Sequence, residues 1–324
     1  MNIRYWVQTL CVASLALMPW HAHADNAYPQ RPIRIIVPST AGSAPDVLIR
    51  LLGEPLSQKL KQPVVVENRA GAGGILAAET VAKAAPDGYT LLIAHDGTMA
   101  INTVMYKGLS YNPVKDFAAV APLAFNELVL IAHPSTGVKT FADFTAHVRK
   151  AEGKASYASA GVGTPNHVFM EQLIQNLQVP MVHVPYKGGA PAVADVVGGQ
   201  VQFMLAGMAP ALPHIQARKL NAVAVIQNRR SGVLPEVPTM AESLPGFSLK
   251  TWFGVFAPAK TPADVLVRLN AELQEIVSRP EIRDKLASLG LTVETGSAQS
   301  LAEVVVQDIR RYELLAQKVK LEAN

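Results

Sequence analysis

Residues 157–169 read YASAGVGTPNHVF, and the rest of the chain can be organised around them. Ala155, Tyr157 and Ala158 form a short apolar run that predicts a strand. Gly161 and Gly163 follow, then Thr164-Pro165, then a helical pattern through Val168, Leu173, Ile174 and Leu177. Thr164 suits the N-cap, and a proline at the first helical position sacrifices no hydrogen bond. Glycines just before a helix let the backbone approach a ligand and aim free N–H groups at it. The dipole of the following helix completes an anion site. An ordinary strand-to-helix turn would look the same, so a second such turn matters.

The first 24 residues read as a secretory signal peptide rather than as part of the fold. Arg4 provides the basic start, Val7 to Met18 the apolar run, and Ala22-His23-Ala24 a cleavage site before Asp25. The apolar run is too short to span a membrane. The chain's one cysteine, Cys11, lies in this segment. A mature chain of 300 residues would therefore carry no thiol, which excludes disulfides and cysteine chemistry. Without Arg4, 28 basic side chains face 25 acidic ones, scattered and without a basic stripe. Aromatic residues are sparse. No nucleic-acid partner is expected from such a surface.

Ile33 to Val37 (IRIIV) is a continuous β-branched run of the kind found in strands buried on both faces. A turn of the same kind, the first in chain order, follows it: Pro38-Ser39-Thr40-Ala41-Gly42-Ser43-Ala44-Pro45-Asp46, opening a helix with Val47, Leu48, Leu51, Leu52 and Leu56 on one face. Strands are expected again at 64–66 and 90–94, separated by a glycine-rich turn at 71–74 and a small-residue helix. A second α/β series runs from Val129 to Val225, and a further strand lies at 251–257. Helices close the chain at 280–289 and 301–319. This alternation predicts parallel sheets with helical crossovers. In open α/β sheets ligands sit beyond the carboxyl ends of the strands, where both turns fall.

The segments YPQRPIRIIVP (28–38), QPVVVENRAGAGG (62–74), AKAAPDGYTLLIA (82–94), YASAGVGTPNH (157–167), MVHVPYKGGAPAVADVVGGQVQFM (181–204), ALPHI (211–215) and VPTMAE (237–242) together resemble one family. It is the extracytoplasmic substrate-binding receptors of tripartite tricarboxylate transporters, also called the Bug family. The resemblance implies an α/β, two-lobe periplasmic binding-protein fold (a Venus flytrap, type II-like) with its ligand in the interlobe cleft. Lobe 1 is expected over 25–124 and 252–324, and lobe 2 over 125–251. It further implies a monomeric periplasmic receptor for a small carboxylate, served by integral membrane permease subunits. In that family the two turns grip a carboxylate from opposite lobes, through backbone amides, small hydroxyls and ordered water.

The first turn departs from the family's Pro-Phe-x-Pro-Gly-Gly-x-x-Asp. Pro38, Gly42 and Asp46 keep their places, while the aromatic becomes Ser39, the second glycine becomes Ser43, and Pro45 enters at the helix start. Ala206 stands where members often place an acid. Conversely, Asp96, within His95-Asp96-Gly97-Thr98, places an acid at the end of the third strand. The expected ligand contacts are Ser39, Thr40, Ala41, Gly42, Ser43, Ala44 and Asp46 from one side. Ser159, Ala160, Gly161, Gly163, Thr164 and His167 face them, with Asp96, Thr98 and Ala206 near the ligand's other end. Asp46 has a second reading as a helix-start residue, and Asp96 as a solvated turn aspartate.

Enzyme readings find little support. His167 and Glu171 stand at i and i+4, half of a metal pair, but no second pair at suitable spacing completes it. Gly71-x-Gly73 and Gly161-x-Gly163 lack the remaining features of dinucleotide loops. No G-x-S-x-G elbow surrounds Ser159. His183 reads as a core histidine, and Lys187 as a turn lysine or an anion-steering one. The expectation is therefore a receptor without cofactor, metal or catalytic residues. The alternative is a ligand-sensing subunit that presents its closed form to a sensor kinase.

Overall fold

The computed structural model describes residues 28–247 and 249–317. The signal-peptide reading of 1–24, with Cys11, lies outside them, as do the last two residues of the expected closing helix. The strands in chain order are β1 Ile33–Val37, β2 Val64–Asn68, β3 Thr90–His95, β4 Phe117–Asn126, β5 Leu128–Ala132, β6 Ser156–Ser159, β7 Val182–Pro185, β8 Phe203–Gly207, β9 Asn221–Val225, β10 Thr251–Pro258 and β11 Leu291–Val293. The helices are α1 Ala44–Leu60, α2 Ile75–Ala82, α3 Asn102–Met105, α4 Phe141–Lys150, α5 Pro165–Leu177, α6 Gly189–Val197, α7 Met208–Gln216, α8 Met240–Ser243, α9 Ala263–Ser278, α10 Pro280–Ala287 and α11 Ala298–Ala316.

The strands assemble into two sheets, in the orders β11-β4-β10-β3-β1-β2 and β7-β6-β8-β5-β9. Both are mixed rather than parallel. β1 pairs in parallel with β2 and β3, but β10 runs antiparallel to β3 and β4. In the second sheet β6 lies parallel to β7 and β8, while β5 is antiparallel to β8 and β9. Runs of apolar residues report burial on both faces and say nothing about direction, so the parallel expectation fails for these strands.

Each sheet is covered on both faces, and the strand alternation sorts side chains between two cores. Ile33, Ile35, Val37, Leu91, Ile93, Phe253 and Val255 pack with α1, α9 and α10. Ile36, Leu92, Ala94, Trp252 and Phe256 pack on the other face with α2 and the start of α11. In the second sheet Leu128, Leu130, Tyr157, Phe203 and Leu205 face one core. Val129, Ile131, Ala158, Met204 and Ala206 face the other. Full burial of such a side chain stabilises the fold by roughly 1.5–3 kcal/mol.

The chain passes between the sheets at Glu127, between β4 and β5, and again between β9 and β10. α11 packs along the first sheet, yet near its end Tyr312 enters the core of the second, its ring 6.4 Å from that of Phe169. The carboxyl ends of β1 and β6, with the turns that follow them, meet across the gap between the sheets.

Candidate functional site

A cavity of about 310 Å³ lies between the two sheets. The β1–α1 turn contributes Pro38, Ser39, Ser43, Ala44 and Pro45; the β6–α5 turn contributes Ala160, Gly161, Val162, Thr164, Pro165 and Asn166. Gly189, the first residue of α6, adds a third helix start. Three helix N-termini therefore face one space, each bringing orphan N–H groups and the positive end of a dipole. Among the described residues lining the cavity there is no arginine, aspartate or glutamate, and the one lysine, Lys187, is exposed.

The first turn is held by Asp46 rather than offering it to a ligand. Its Oδ2 accepts from the Gly42 N–H at 2.9 Å, and its Oδ1 accepts from Arg50 Nε at 2.9 Å and Asn68 Nδ2 at 2.8 Å. Burial works to raise this carboxyl's pKa, but those three hydrogen bonds with the Arg50 charge hold it below the ordinary range. Asp46, Thr40, Ala41 and Gly42 do not line the cavity. Ser43 does: its Oγ accepts from the Ala190 N–H at 3.2 Å across the gap and lies 3.2 Å from Thr40 Oγ1. The serine that replaces the family's second glycine thus ties the first turn to the start of α6.

The second turn is also partly self-satisfied. Ser159 Oγ accepts from the Gly161 N–H at 3.1 Å and lies 2.7 Å from His183 Nε2, away from the cavity lining. Thr164 holds the N-cap position, but its hydroxyl donates to the Gly161 carbonyl at 2.6 Å instead of accepting from the helix. Gly163 donates to His167 Nδ1 at 3.4 Å, and neither residue lines the cavity. His167 stacks on His183 at 4.3 Å, which stacks on Tyr157 at 4.8 Å. Burial, with His183 close by, pushes His167 down to about 3. Glu171 accepts a hydrogen bond from the Tyr157 hydroxyl, which accounts for the other half of the supposed metal pair.

Three expectations for the ligand's far end need correction. Asp96 is fully buried and points away from the cavity, its carboxylate accepting from Thr251 Oγ1 and from the Tyr312 hydroxyl, each at 2.7 Å. β3 ends at His95, which lines the cavity, and Asp96 follows on the opposite side, the side of Leu92 and Ala94. Thr98 is buried beneath that turn, with Oγ1 3.4 Å from His95 Nε2. Ala206 faces the core behind β8, and the next residue, Gly207, lines the cavity instead.

Several lining residues escaped the sequence reading: Gly71 to Gly74, His95, Tyr106, Asn126, Tyr186, Thr251 and Phe253. The glycine run lacks the features of a dinucleotide loop, but its geometry is distinctive. Gly71, Ala72, Gly73 and Gly74 all have positive φ. A Cβ on Gly73 would come within 2.5 Å of the Val162 carbonyl oxygen on the opposing turn. The Tyr106 hydroxyl also donates to the Val162 carbonyl at 3.3 Å. The two sides of the cavity thus touch around its rim.

Comparison with known proteins follows the same lines. The profile of the tripartite tricarboxylate transporter family receptor matches residues 48–321. A curated relative from Pseudomonas sp. (strain P51), the UPF0065 protein in the tcbD-tcbE intergenic region, is 37% identical over 92% of this chain and 89% of its own. Among solved structures, Rhodopseudomonas palustris Rpa4515 with adipate is 30% identical, covers 91% of this chain and 100% of its own, and superposes with a TM-score of 0.89. MatC from the same organism, with bound malate, is 34% identical over 88% of this chain and 99% of its own, with a TM-score of 0.85.

Proposed function

Because the chain belongs to the tripartite tricarboxylate transporter family of receptors, we propose that it is a periplasmic solute-binding receptor that captures a small organic carboxylate and delivers it to the membrane permease subunits of such a transporter. The observation that carries this reading is the meeting of two β–α turns, from different sheets, on one cavity whose wall holds helix starts and no acid. A carboxylate placed there would accept charge-assisted hydrogen bonds worth on the order of 1.5–3 kcal/mol each. Relatives solved with adipate and malate support the ligand class. The wall offers no nucleophile paired with a base, so binding rather than turnover is the reading that fits.

The carboxylate contacts we assign are Ser39, Ser43 and Ala44 on one side and Ala160, Gly161 and Thr164 on the other. Each sheet with its helices forms one lobe, 25–124 with 252–324 and 125–251, and the two passages between sheets act as a hinge.

A ligand that binds the folded state alone raises its stability by about 2.7 kcal/mol at a hundredfold excess over Kd. A thermal-shift screen of small organic acids should therefore give clear hits, while the corresponding amides and methyl esters give none. Equal shifts from amides and acids would overturn the carboxylate assignment.

A further inference from the structure

At three places around the cavity the two halves of the molecule meet where a side chain is missing. Gly73, between β2 and α2, faces the Val162 carbonyl oxygen, which a Cβ would approach to 2.5 Å. Gly163, between β6 and α5, faces Asn102 at the start of α3. A Cβ there would come within 2.5 Å of Asn102 Oδ1 and 3.2 Å of the Tyr106 ring. Gly188, just before α6, faces Thr40, and its Cβ would stand 2.4 Å from Oγ1 and 2.9 Å from the backbone nitrogen. The nearest of these distances lie well inside the roughly 3.5–4.0 Å at which non-bonded heavy atoms pack. In each pair one residue belongs to 25–124 and the other to 125–251.

The facing groups are not free to step aside. Val162 and Thr40 present backbone atoms. Asn102 is fully buried, and its amide donates to the Gly73 carbonyl at 3.1 Å and to the Tyr111 hydroxyl at 3.3 Å. It is thus wedged between two of the glycines, since a Cβ on Gly73 would also come within 3.2 Å of its Oδ1. Gly163 and Gly188 do not line the cavity, so their contacts join half to half rather than protein to ligand. Gly137 supplies a contrast. Its φ is +72° against +79° at Gly163, yet nothing lies within 4 Å of where its Cβ would stand.

We propose that Gly73, Gly163 and Gly188 are positioning residues for closure. The space left by their absent side chains sets how far the halves come together, and a methyl group at any of them holds the receptor ajar. This rests on the hinge reading of the two passages between the sheets. Packed surfaces resist continuous deformation, so a wedge at one point of the rim separates the halves at the others too. Gly42 and Ala190 provide a gauge of that separation. They lie in opposite halves and off the cavity wall, and a Cβ on Gly42 would stand 3.6 Å from that of Ala190. A disulfide needs a Cβ separation of about 3.5–4.5 Å. Residues 25–324 contain no cysteine that could compete.

The test uses the mature receptor carrying Gly42→Cys and Ala190→Cys, alone and combined with Gly163→Ala or with Gly137→Ala. Disulfide formation in a glutathione redox buffer, without added acid, is followed by alkylating the remaining thiols. The bond should form at equal rates in the parent and with Gly137→Ala. With Gly163→Ala it should form on the order of tenfold more slowly, as expected when overpacking opposes the closed state. Circular dichroism confirms the fold of each protein, and Gly73→Ala takes the place of Gly163→Ala if the latter fails to fold. Equal rates in all three proteins overturn the assignment and leave the hinge standing. Equal slowing by Gly137→Ala places the effect in backbone strain and overturns it as well. Absence of the disulfide in the parent means that the halves do not meet, which overturns both the assignment and the hinge. The carboxylate reading is decided separately by the thermal-shift screen, since no acid is present here.

Discussion

Gly161 and Asp96 show how differently single residues serve the same site. Gly161 has φ +132°, and a Cβ there would stand 3.0 Å from the Tyr186 carbonyl oxygen. Gly161→Val is therefore expected to abolish the thermal shifts produced by acids, because a branched side chain fills the path by which the turn's backbone approaches a ligand. Native circular dichroism together with retained binding would count against the turn as the grip. Asp96 acts on stability instead. Burial, with Asp308 nearby, pushes its carboxyl from 3.8 up to about 7, against hydrogen bonds from Tyr312 and Thr251 that favour the charged form. From about pH 4 to pH 7 the folded state keeps a proton that the unfolded chain releases, so this contribution to stability is lost as the pH rises through that window. His95, His167 and His183, pushed down to about 4, 3 and 4, act in the opposite sense as the pH rises through their ordinary 6.5, and do so equally in both proteins. Relative to Asp96→Asn, the wild type should therefore lose about 1 kcal/mol between pH 6.5 and 8, or roughly 2–4 °C in Tm. A calorimetric pH series on both proteins checks this. The sequence placed an acid at this strand end correctly and its direction wrongly: on alternation Asp96 falls on the side of Leu92 and Ala94, which the C-terminal helix covers.

At the scale of elements, the β-branched runs were legible because burial on both faces requires them: β1 falls at 33–37 as its pattern predicts. β4 was not legible. Its sequence, FAAVAPLAFN, is rich in alanine and carries Pro122, and its pairing with β10 shifts register twice. The tripeptide β11 is too short to leave a pattern. Helix α11 was expected, but its role as a fastening was not. Trp252 Nε1 donates to Asp308 at 2.8 Å, Arg311 donates to the Tyr312 hydroxyl at 2.7 Å, and that hydroxyl donates to Asp96. One helix thus secures the ends of β3 and β10 and reaches the core of the second sheet. Tyr312→Phe removes a donor to a buried carboxylate and should lower stability by about 1–3 kcal/mol, read as a reduced midpoint in urea without a change in slope. An unchanged midpoint would mean that Asp96 finds another partner or is already protonated.

At the scale of the whole molecule, the two turns were legible because they combine glycine, small hydroxyls and a helix start after a strand. The sheet-end residues His95, Asn126, Thr251 and Phe253 were not, since they come from three strands and nothing in their local sequence signals a shared space. The hydrogen bonds from Ala190 to Ser43 and from Tyr106 to Val162 cross the cavity, so this arrangement is a closed one. Ligand-free protein should open about the two passages, and small-angle scattering should show a smaller radius of gyration when a tightly bound acid is added. No change at saturation would argue against a flytrap.

The position of Asn126 has a mechanical consequence. It lies one residue before Glu127, where the chain leaves the first sheet for the second. A force applied at a pivot has almost no lever arm, whereas the same force applied at the turns, away from the crossing, exerts torque on both halves. A contact made at Asn126 would therefore do little to swing the halves together. A carboxylate held between the two turns, at the longer radius, would supply the turning moment. Affinity gained near the crossing and motion driven from the turns would then be separable, and each could change in evolution with little effect on the other.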